Sequence, residues 1–315
     1  MIRLENLVKN YGQVHAVDNI SFDVPEGQIL GFLGPNGAGK STTLKVLTCF
    51  LSPTNGNIIV DDKYNIYEHS REIRQMIGYL PENNPLYTDM TVYDFLAFIA
   101  DMRSIPKQEF KQTLRRVISK TGIEEVISKR IDTLSKGYKQ RVGLAQAIIH
   151  DPRILILDEP TTGLDPNQII EIRELIQELG KDKTLIISSH ILQEVQAVCD
   201  RIIIINKGKI VADGATEELK AAHRNKTHLV LISDIPQAEI ATLTQAIPAL
   251  TLIETSSEAD NTKYEIEFDT NQDFRKDIYN WFKQTNWVLL EMYRESVSLE
   301  DVFRNLTIDD GGTTS

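Results

Sequence analysis

Apolar and polar positions along the chain fall into blocks of different period. Over the first 33 residues the pattern predicts strands IRLENLVKNY and AVDNISFDV, then a turn at Pro25-Glu26-Gly27 and the apolar run QILGFL. The loop GPNGAGKSTT follows, and a helix is predicted through about Phe50. From about Pro85 to Asp151 the spacing is mostly helical, punctuated by Pro106 and Gly122. RILILDEP and TLIISSH are continuous apolar runs of strand length, as in strands buried on both faces of a parallel sheet. Between them lies the helical pattern NQIIEIRELIQELG. A further helix, ILQEVQAVCD, leads to the strand RIIIIN, the hairpin signal KGK and IVADG. Strands alternating with helices make an α/β domain with a largely parallel sheet.

After a polar stretch, ELKAAHRNK, the pattern changes to strand HLVLI, helix PQAEIATLTQAI and strands ALTLIETS and KYEIEF. Helix DFRKDIYNWFKQ, strand WVLLEMYRES and a short helix SLEDVFRNL complete it. The order βαββαβ is a ferredoxin-like α+β arrangement. The expected domains are therefore residues 1–220, a linker at 221–227, and a small C-terminal domain at 228–315.

At 315 residues the chain has room for one large domain and a smaller one. No window holds the roughly 18 consecutive apolar residues of a membrane helix, and MIRLENLVKNYG lacks a secretory apolar core. The expectation is a cytoplasmic chain that neither spans a membrane by itself nor carries a cleavable signal. Cys49 and Cys199 lack the number and spacing for a disulfide framework or a metal site, and their apolar helical contexts suggest buried thiols. A net charge of −11 speaks against nucleic acid, whose binding needs a basic surface, but leaves a membrane-protein partner open.

GPNGAGKS matches G-x-x-x-x-G-K-[ST] between a predicted strand and a predicted helix. The structural alternative is a Gly-rich turn that matches by chance, which this strand-to-helix context disfavours. The glycines let backbone N–H groups wrap phosphate, Lys40 can reach the β- and γ-phosphates, and the Ser41 hydroxyl can ligate Mg²⁺. Asp158, ending a buried strand, can hold Mg²⁺ directly or through water. Glu159 projects differently and can polarise a water for attack on the γ-phosphate. The structural alternative is that the pair caps the following helix. His190 ends the other buried strand, where its imidazole can reach the γ-phosphate. A guanine-reading N-K-x-D loop is missing, since NKGK at 206–209 ends in Lys209. Tyr11 is a candidate platform for stacking on a purine.

A second anion-binding signature, TLSKGYKQR, opens an amphipathic helix about a hundred residues beyond the first. Together, GPNGAGKST, LSKGYKQR, ILILDEPTTGLDP and SSH resemble, in order and spacing, the nucleotide-binding subunits of ABC transporters across residues 1 to about 220. The resemblance implies a P-loop ATPase domain with a mixed core sheet, an antiparallel β subdomain and a helical subdomain at about 85–150. It implies two subunits, expected to be a homodimer, paired head to tail around two ATP molecules. Tyr11 would then stack on adenine, and Gly34, Pro35, Asn36, Gly37, Ala38, Gly39, Lys40, Ser41 and Thr42 would bind the phosphates. Asp158 would serve Mg²⁺, Glu159 would be the general base, and His190 would sense the γ-phosphate. Ser135 and Gly137 would contact the partner's nucleotide, and Asp165 would bridge the subunits. An ordinary helix cap at Ser135, stabilising by about 1 kcal/mol, is compatible with that role.

This chain departs from the family pattern at Lys136 and Tyr138, where a Gly and a Gln are usual. Lys136 either adds a cation near the partner's phosphate or points to solvent. Glu82, in GYLPENNPLY, stands where most relatives have a Gln that touches Mg²⁺ and the attacking water. In the family the region of Tyr87, Tyr93, Phe95 and Phe98 borders a groove for a helix of the membrane subunit. Phe95 and Phe98 are expected in the helical core and Tyr87 at the surface.

GYLPENNPLY, LSKGY, LDPNQIIEIRELI and SLEDVF look like the branch that serves ABC-2 type exporters, and within it the gliding-motility-associated ATP-binding subunits of Bacteroidota. A separately encoded membrane permease would hold such a subunit at the inner face of the cell membrane. The C-terminal domain lacks the basic-Gly-aromatic pattern of RNA-recognition modules, and residues 225–315 carry seven Lys/Arg against sixteen Asp/Glu, a balance of −9. The rival function is a soluble ABC-type ATPase acting on a ribosome or nucleic-acid complex. Such proteins usually carry two nucleotide domains or long coiled-coil insertions, and this sequence has neither.

Overall fold

A computed structural model describes residues 1–222, 226–258, 261–269, 272–295 and 299–307. Two compact units divide the chain, Met1–Thr216 joined by the chain end from Leu306, and Glu217–Asn305.

The first unit opens with the antiparallel pair β1 (Ile2–Tyr11) and β2 (Val14–Val24). β3 (Ile29–Leu33) enters a second sheet and runs through the phosphate loop into α1 (Lys40–Leu47). β4 (Asn55–Val60) and the short β5 (Tyr64–Asn65) return to the first sheet, ordered β2-β1-β4-β5. Alternation sends Ile2, Leu4, Phe22, Val24, Ile58 and Val60 inward, where they pack with Phe32, Leu44 and Leu47. The Phe22 and Phe32 rings lie 5.7 Å apart.

α2 (Ser70–Met76) leads into β6 (Ile77–Leu80), and three helices follow: α3 (Val92–Met102), α4 (Lys107–Thr121) and α5 (Lys136–Ile148). Next come β7 (Ile154–Asp158), α6 (Pro166–Gly180), β8 (Thr184–Ser189), α7 (Leu192–Gln196), β9 (Arg201–Asn206) and β10 (Lys209–Gly214). The central sheet is ordered β10-β9-β3-β8-β7-β6, parallel except for β10. Every residue of β7 and β8 is buried, as their unbroken apolar runs require. Leu155, Leu157, Leu185 and Ile187 face the helical core, while Ile154, Ile156 and Ile186 face the antiparallel sheet. Each such buried side chain contributes about 1.5–3 kcal/mol. The strand ends that carry the functional residues are thus fixed from both sides.

The second unit begins within α8 (Thr216–Ala222). β11 (Lys226–Ser233), α9 (Ile240–Ala246), β12 (Thr251–Glu258), β13 (Asn261–Asp269), α10 (Arg275–Phe282), β14 (Leu289–Glu295) and α11 (Leu299–Thr307) follow in turn. Its antiparallel sheet, β12-β13-β11-β14, has the ferredoxin-like order. Leu229, Leu231, Tyr264, Ile266 and Phe268 form its core with Ile240, Leu243, Ile278 and Phe282 of the helices.

Several boundaries differ from the sequence pattern. The polar stretch read as a linker is helical through Ala222 and a strand from Lys226, and the units divide at 216/217 instead of within 221–227. Its ELKAA segment consists of good helix formers, whose polarity resembles that of a linker. α1 ends at Leu47, short of Phe50, and Cys49 adopts the left-handed φ of +55° just beyond it. Cys49 and Cys199 are both half-buried free thiols outside the helices. Phe95 is buried as expected, but Phe98 is exposed and packs on the Tyr87 ring at 5.5 Å.

Candidate functional site

β3 ends against the loop Gly34–Gly39, which crosses tightly between its neighbours. A Cβ at Gly34 would lie 2.4 Å from the Ile205 carbonyl oxygen, and one at Gly39 would lie 2.3 Å from that of Ala16. Gly39 also adopts φ +108°, strained for any other residue. It caps α1 without a side chain, leaving the first backbone N–H groups of the helix directed at the loop. Lys40, 5% exposed, donates to the Gly34 carbonyl at 2.7 Å and lies 3.3 Å from Glu159 Oε1.

This loop forms one wall of a cavity of about 530 Å³. Asn36 to Thr42 line that wall together with Ala16, and Glu82, Glu159, Thr162 and His190 line the rest. Residues more than a hundred positions apart therefore meet at one opening.

Asp158 lies at the end of β7, where its Oδ1 accepts from Ser188 Oγ at 2.6 Å and Ser41 Oγ at 3.1 Å. Burial raises its pKa above the ordinary aspartate value, the two hydroxyls oppose that rise, and the adjacent Glu159 charge adds to it. Glu159 sits at φ +50°, a strained backbone for a residue with a side chain, and its N–H donates to the Ser188 side chain at 3.0 Å. That geometry turns Glu159 away from Asp158 and into the cavity. Its Oε2 meets His190 Nδ1 at 2.8 Å and accepts from Thr162 Oγ1 at 3.3 Å.

The chemistry of these donors fits Mg²⁺. Ser41 and Asp158 already converge, and Glu82 borders the same cavity. Tyr79 Oη on β6 is buried without a hydrogen-bond partner among the described residues. Burial and the charges of Asp158 and Glu82 drive its phenol pKa well above the ordinary value. Among the described residues, no three of His, Cys, Asp and Glu form a metal-holding cluster. Mg²⁺ needs none, because it takes one or two protein carboxylates and completes its shell with phosphate and water.

Other sequence-predicted residues lie outside this cavity. Tyr11, at the end of β1, is 48% exposed, with the Lys9 ammonium 5.4 Å from its ring centre. Gly34 and Pro35 contribute carbonyls to Lys40. Ser135 caps α5 by accepting from the Tyr138 N–H at 3.3 Å, and Asp165 caps α6 by accepting from the Gln168 N–H at 3.0 Å. The two helix starts adjoin, since a Cβ on Gly137 would lie 2.8 Å from the Gln168 side chain. Lys136 is exposed, as the solvent-facing alternative expects, and its ammonium lies beside Gly163 of its own chain. Sequence reasoning passed over Thr162 and Ser188, although both stand inside the motifs that drew attention to their neighbours.

Residues 17–162 match the family model described as ABC transporter. The chain is 37% identical over 234 residues to the uncharacterized ABC transporter ATP-binding protein YxlF of Bacillus subtilis, covering 74% of this chain and 77% of that protein. It is 38% identical over 214 residues to the lantibiotic transport ATP-binding protein SrtF of Streptococcus pyogenes, covering 68% and 90%. Among solved structures, cbiO1 from Clostridium perfringens, part of the ABC transporter complex cbiONQ, superposes with a TM-score of 0.64. Its sequence is 30% identical, and the match covers 78% of this chain and 95% of that one.

Proposed function

The chain belongs to the ABC transporter ATP-binding family as an ATP-hydrolysing cassette, and we propose that two copies close head to tail around two ATP to drive a separately encoded ABC-2 type membrane exporter. The observation that carries this reading is the meeting of Lys40, Glu159 and His190 at the mouth of the phosphate-loop cavity, with Ser41 and Asp158 beneath. Lys40 and the loop amides bind the β- and γ-phosphates. Ser41 and Asp158, with Glu82 beside them, would hold Mg²⁺, which supplies positive charge against the phosphate oxygens. Glu159 takes a proton from the attacking water, and His190, oriented by Glu159 Oε2, steadies the γ-phosphate. Ser135, Gly137 and Asp165 stand on adjoining helix starts and face the second subunit, while Tyr11 stacks on adenine.

The name of the lantibiotic transport relative supports a transport role. The motifs GYLPENNPLY, LSKGY, LDPNQIIEIRELI and SLEDVF carry the finer reading, an exporter subunit of the gliding-motility-associated kind. No helix among the described residues is long and apolar enough to cross a membrane, so the permease supplies the attachment to the inner face of the cell membrane. The exposure of Tyr87 and Phe98 supports a contact with it.

The test is Glu159→Gln with Mg-ATP. The variant should bind ATP, lose turnover by about 10²–10⁴-fold, and accumulate as a dimer in light scattering. Normal hydrolysis by the variant would sink Glu159 as the base, and a strictly monomeric ATP complex would sink the dimer. Co-purification with a neighbouring-gene permease supports export, whereas co-sedimentation with ribosomes supports the soluble rival.

A further inference from the structure

Two loops reach the same oxygen of Glu159. The turn after β7 does so through Thr162, and the segment after β8 through His190. Behind them lies Glu194 on α7, only 8% exposed. Its Oε2 accepts from Thr161 Oγ1 at 2.6 Å and from Ser189 Oγ at 2.9 Å. Thr161 precedes Thr162, and Ser189 precedes His190. The hydrogen bonds and two chain links close a ring that runs from Glu159 through Thr162 and Thr161 to Glu194, and back through Ser189 and His190.

We propose that Glu194 is a positioning residue for ATP hydrolysis, fixing His190 and the turn that leads to Asp165 relative to Glu159. The inference rests on the ATPase reading above. One carboxylate oxygen with two hydroxyl donors keeps both loops at a fixed separation, so displacement of one moves the other. Ser189 Oγ also accepts from the Ile191 N–H at 3.0 Å, which sets its hydroxyl toward Glu194. From the opposite side, Gln140 of α5 donates to the Pro160 carbonyl at 2.8 Å. The turn is therefore held between the helix that begins at Ser135 and the short helix behind His190. A buried carboxylate satisfied by hydroxyls alone is a costly way to fill space, and the ring gives it a purpose.

The phosphate loop takes no part in this ring, so loss of Glu194 should separate binding from turnover. In the full-length protein, Glu194→Ala should lower kcat by about tenfold to a hundredfold, the scale of a misplacement of about 1 Å, while KM for ATP stays within about twofold. Glu194→Gln retains an acceptor oxygen and should recover most of kcat. Thr161→Val removes one donor without changing shape, and its effect should not multiply with that of Glu194→Ala, because both remove the same bond. Stoichiometric ATP binding sets the active fraction, which separates slow turnover from unfolded protein. Unchanged kcat in Glu194→Ala, or losses that multiply fully in the double variant, would overturn the proposal. A wild-type chain without ATPase activity would instead overturn the reading beneath it, and a KM that rises in parallel would recast Glu194 as a binding residue.

Discussion

Lys40 and Glu159 are both nearly buried and lie 3.3 Å apart, so a nucleotide must compete with a carboxylate for the ammonium that binds its phosphates. Glu159→Gln removes that competitor while keeping the shape of the side chain. With an effective dielectric of about 20, two unit charges at this distance attract by about 332/(20 × 3.3), or about 5 kcal/mol. Desolvation of both charges offsets most of this, and the Gly34 and Pro35 carbonyls keep holding the ammonium after the change. A net release of about 1.4 kcal/mol, roughly tenfold in affinity, is the expected remainder. ADP is the informative ligand because it lacks the γ-phosphate, which Glu159 repels directly. Calorimetric titration without Mg²⁺ should therefore show ADP bound about tenfold more tightly by Glu159→Gln than by the wild type. If ATP gains affinity but ADP does not, only γ-phosphate repulsion was relieved, and the competition for Lys40 is refuted.

Gly39→Ala combines φ +108° with a Cβ at 2.3 Å from the Ala16 carbonyl, which should cost about 3 kcal/mol or more and lower the Tm by about 6 °C or more in a thermal melt. His150 is half-buried, and that burial together with the nearby Arg103 charge lowers its pKa from 6.5 to about 4, so the unfolded chain gains a proton well before the folded one as pH falls. Stability should drop across that window, by about 2 kcal/mol between pH 7 and pH 5, and urea melts of His150→Gln should show a flatter profile there. Glu82→Gln should bind ATP normally yet need several-fold more Mg²⁺ for half-maximal hydrolysis, and superimposable Mg²⁺ titrations would refute the role of the carboxylate. Asp158 has a raised pKa, so it takes up a proton at higher pH than an ordinary aspartate and loses its hold on a cation there. The Mg²⁺ requirement should accordingly climb on the acid side earlier than an unperturbed carboxylate would allow, and a pH-independent requirement would count against this.

The parts of the site legible in the sequence are those fixed to the ends of buried strands. Leu33, Asp158 and Ser189 end unbroken apolar runs, so the residues that follow must emerge together at one edge of the sheet. The ring through Glu194 was not legible, because it joins side chains about thirty residues apart whose spacing follows from how β7 and β8 pair. Helical periodicity placed Phe95 and Phe98 on one helix but could not divide core from surface, since residues three apart sit on neighbouring faces of the same turn. Residues 55–80 form two short sheet segments, a helix and β6, each too brief to show a period of its own. In the second unit, clean alternation in KYEIEF made the central strand plain, and the sheet order followed from the βαββαβ sequence.

The charges around the cavity suggest why nucleotide and cation act together. Glu82 and Glu159 line it and Asp158 lies just beneath, while the lining contributes the Lys40 ammonium and the His190 imidazole. A triphosphate adds several more negative charges to that balance. Two of these carboxylates are also already engaged, Asp158 with two serines and Glu159 with Lys40, Thr162 and His190. Phosphate alone could draw Lys40 away from Glu159 only by leaving a buried carboxylate next to further negative charge. A divalent cation brought in with the phosphates and held by Ser41 and Asp158 offsets that cost. Glu82 adds a further negative charge to the lining and makes the dependence on such a cation steeper in this chain.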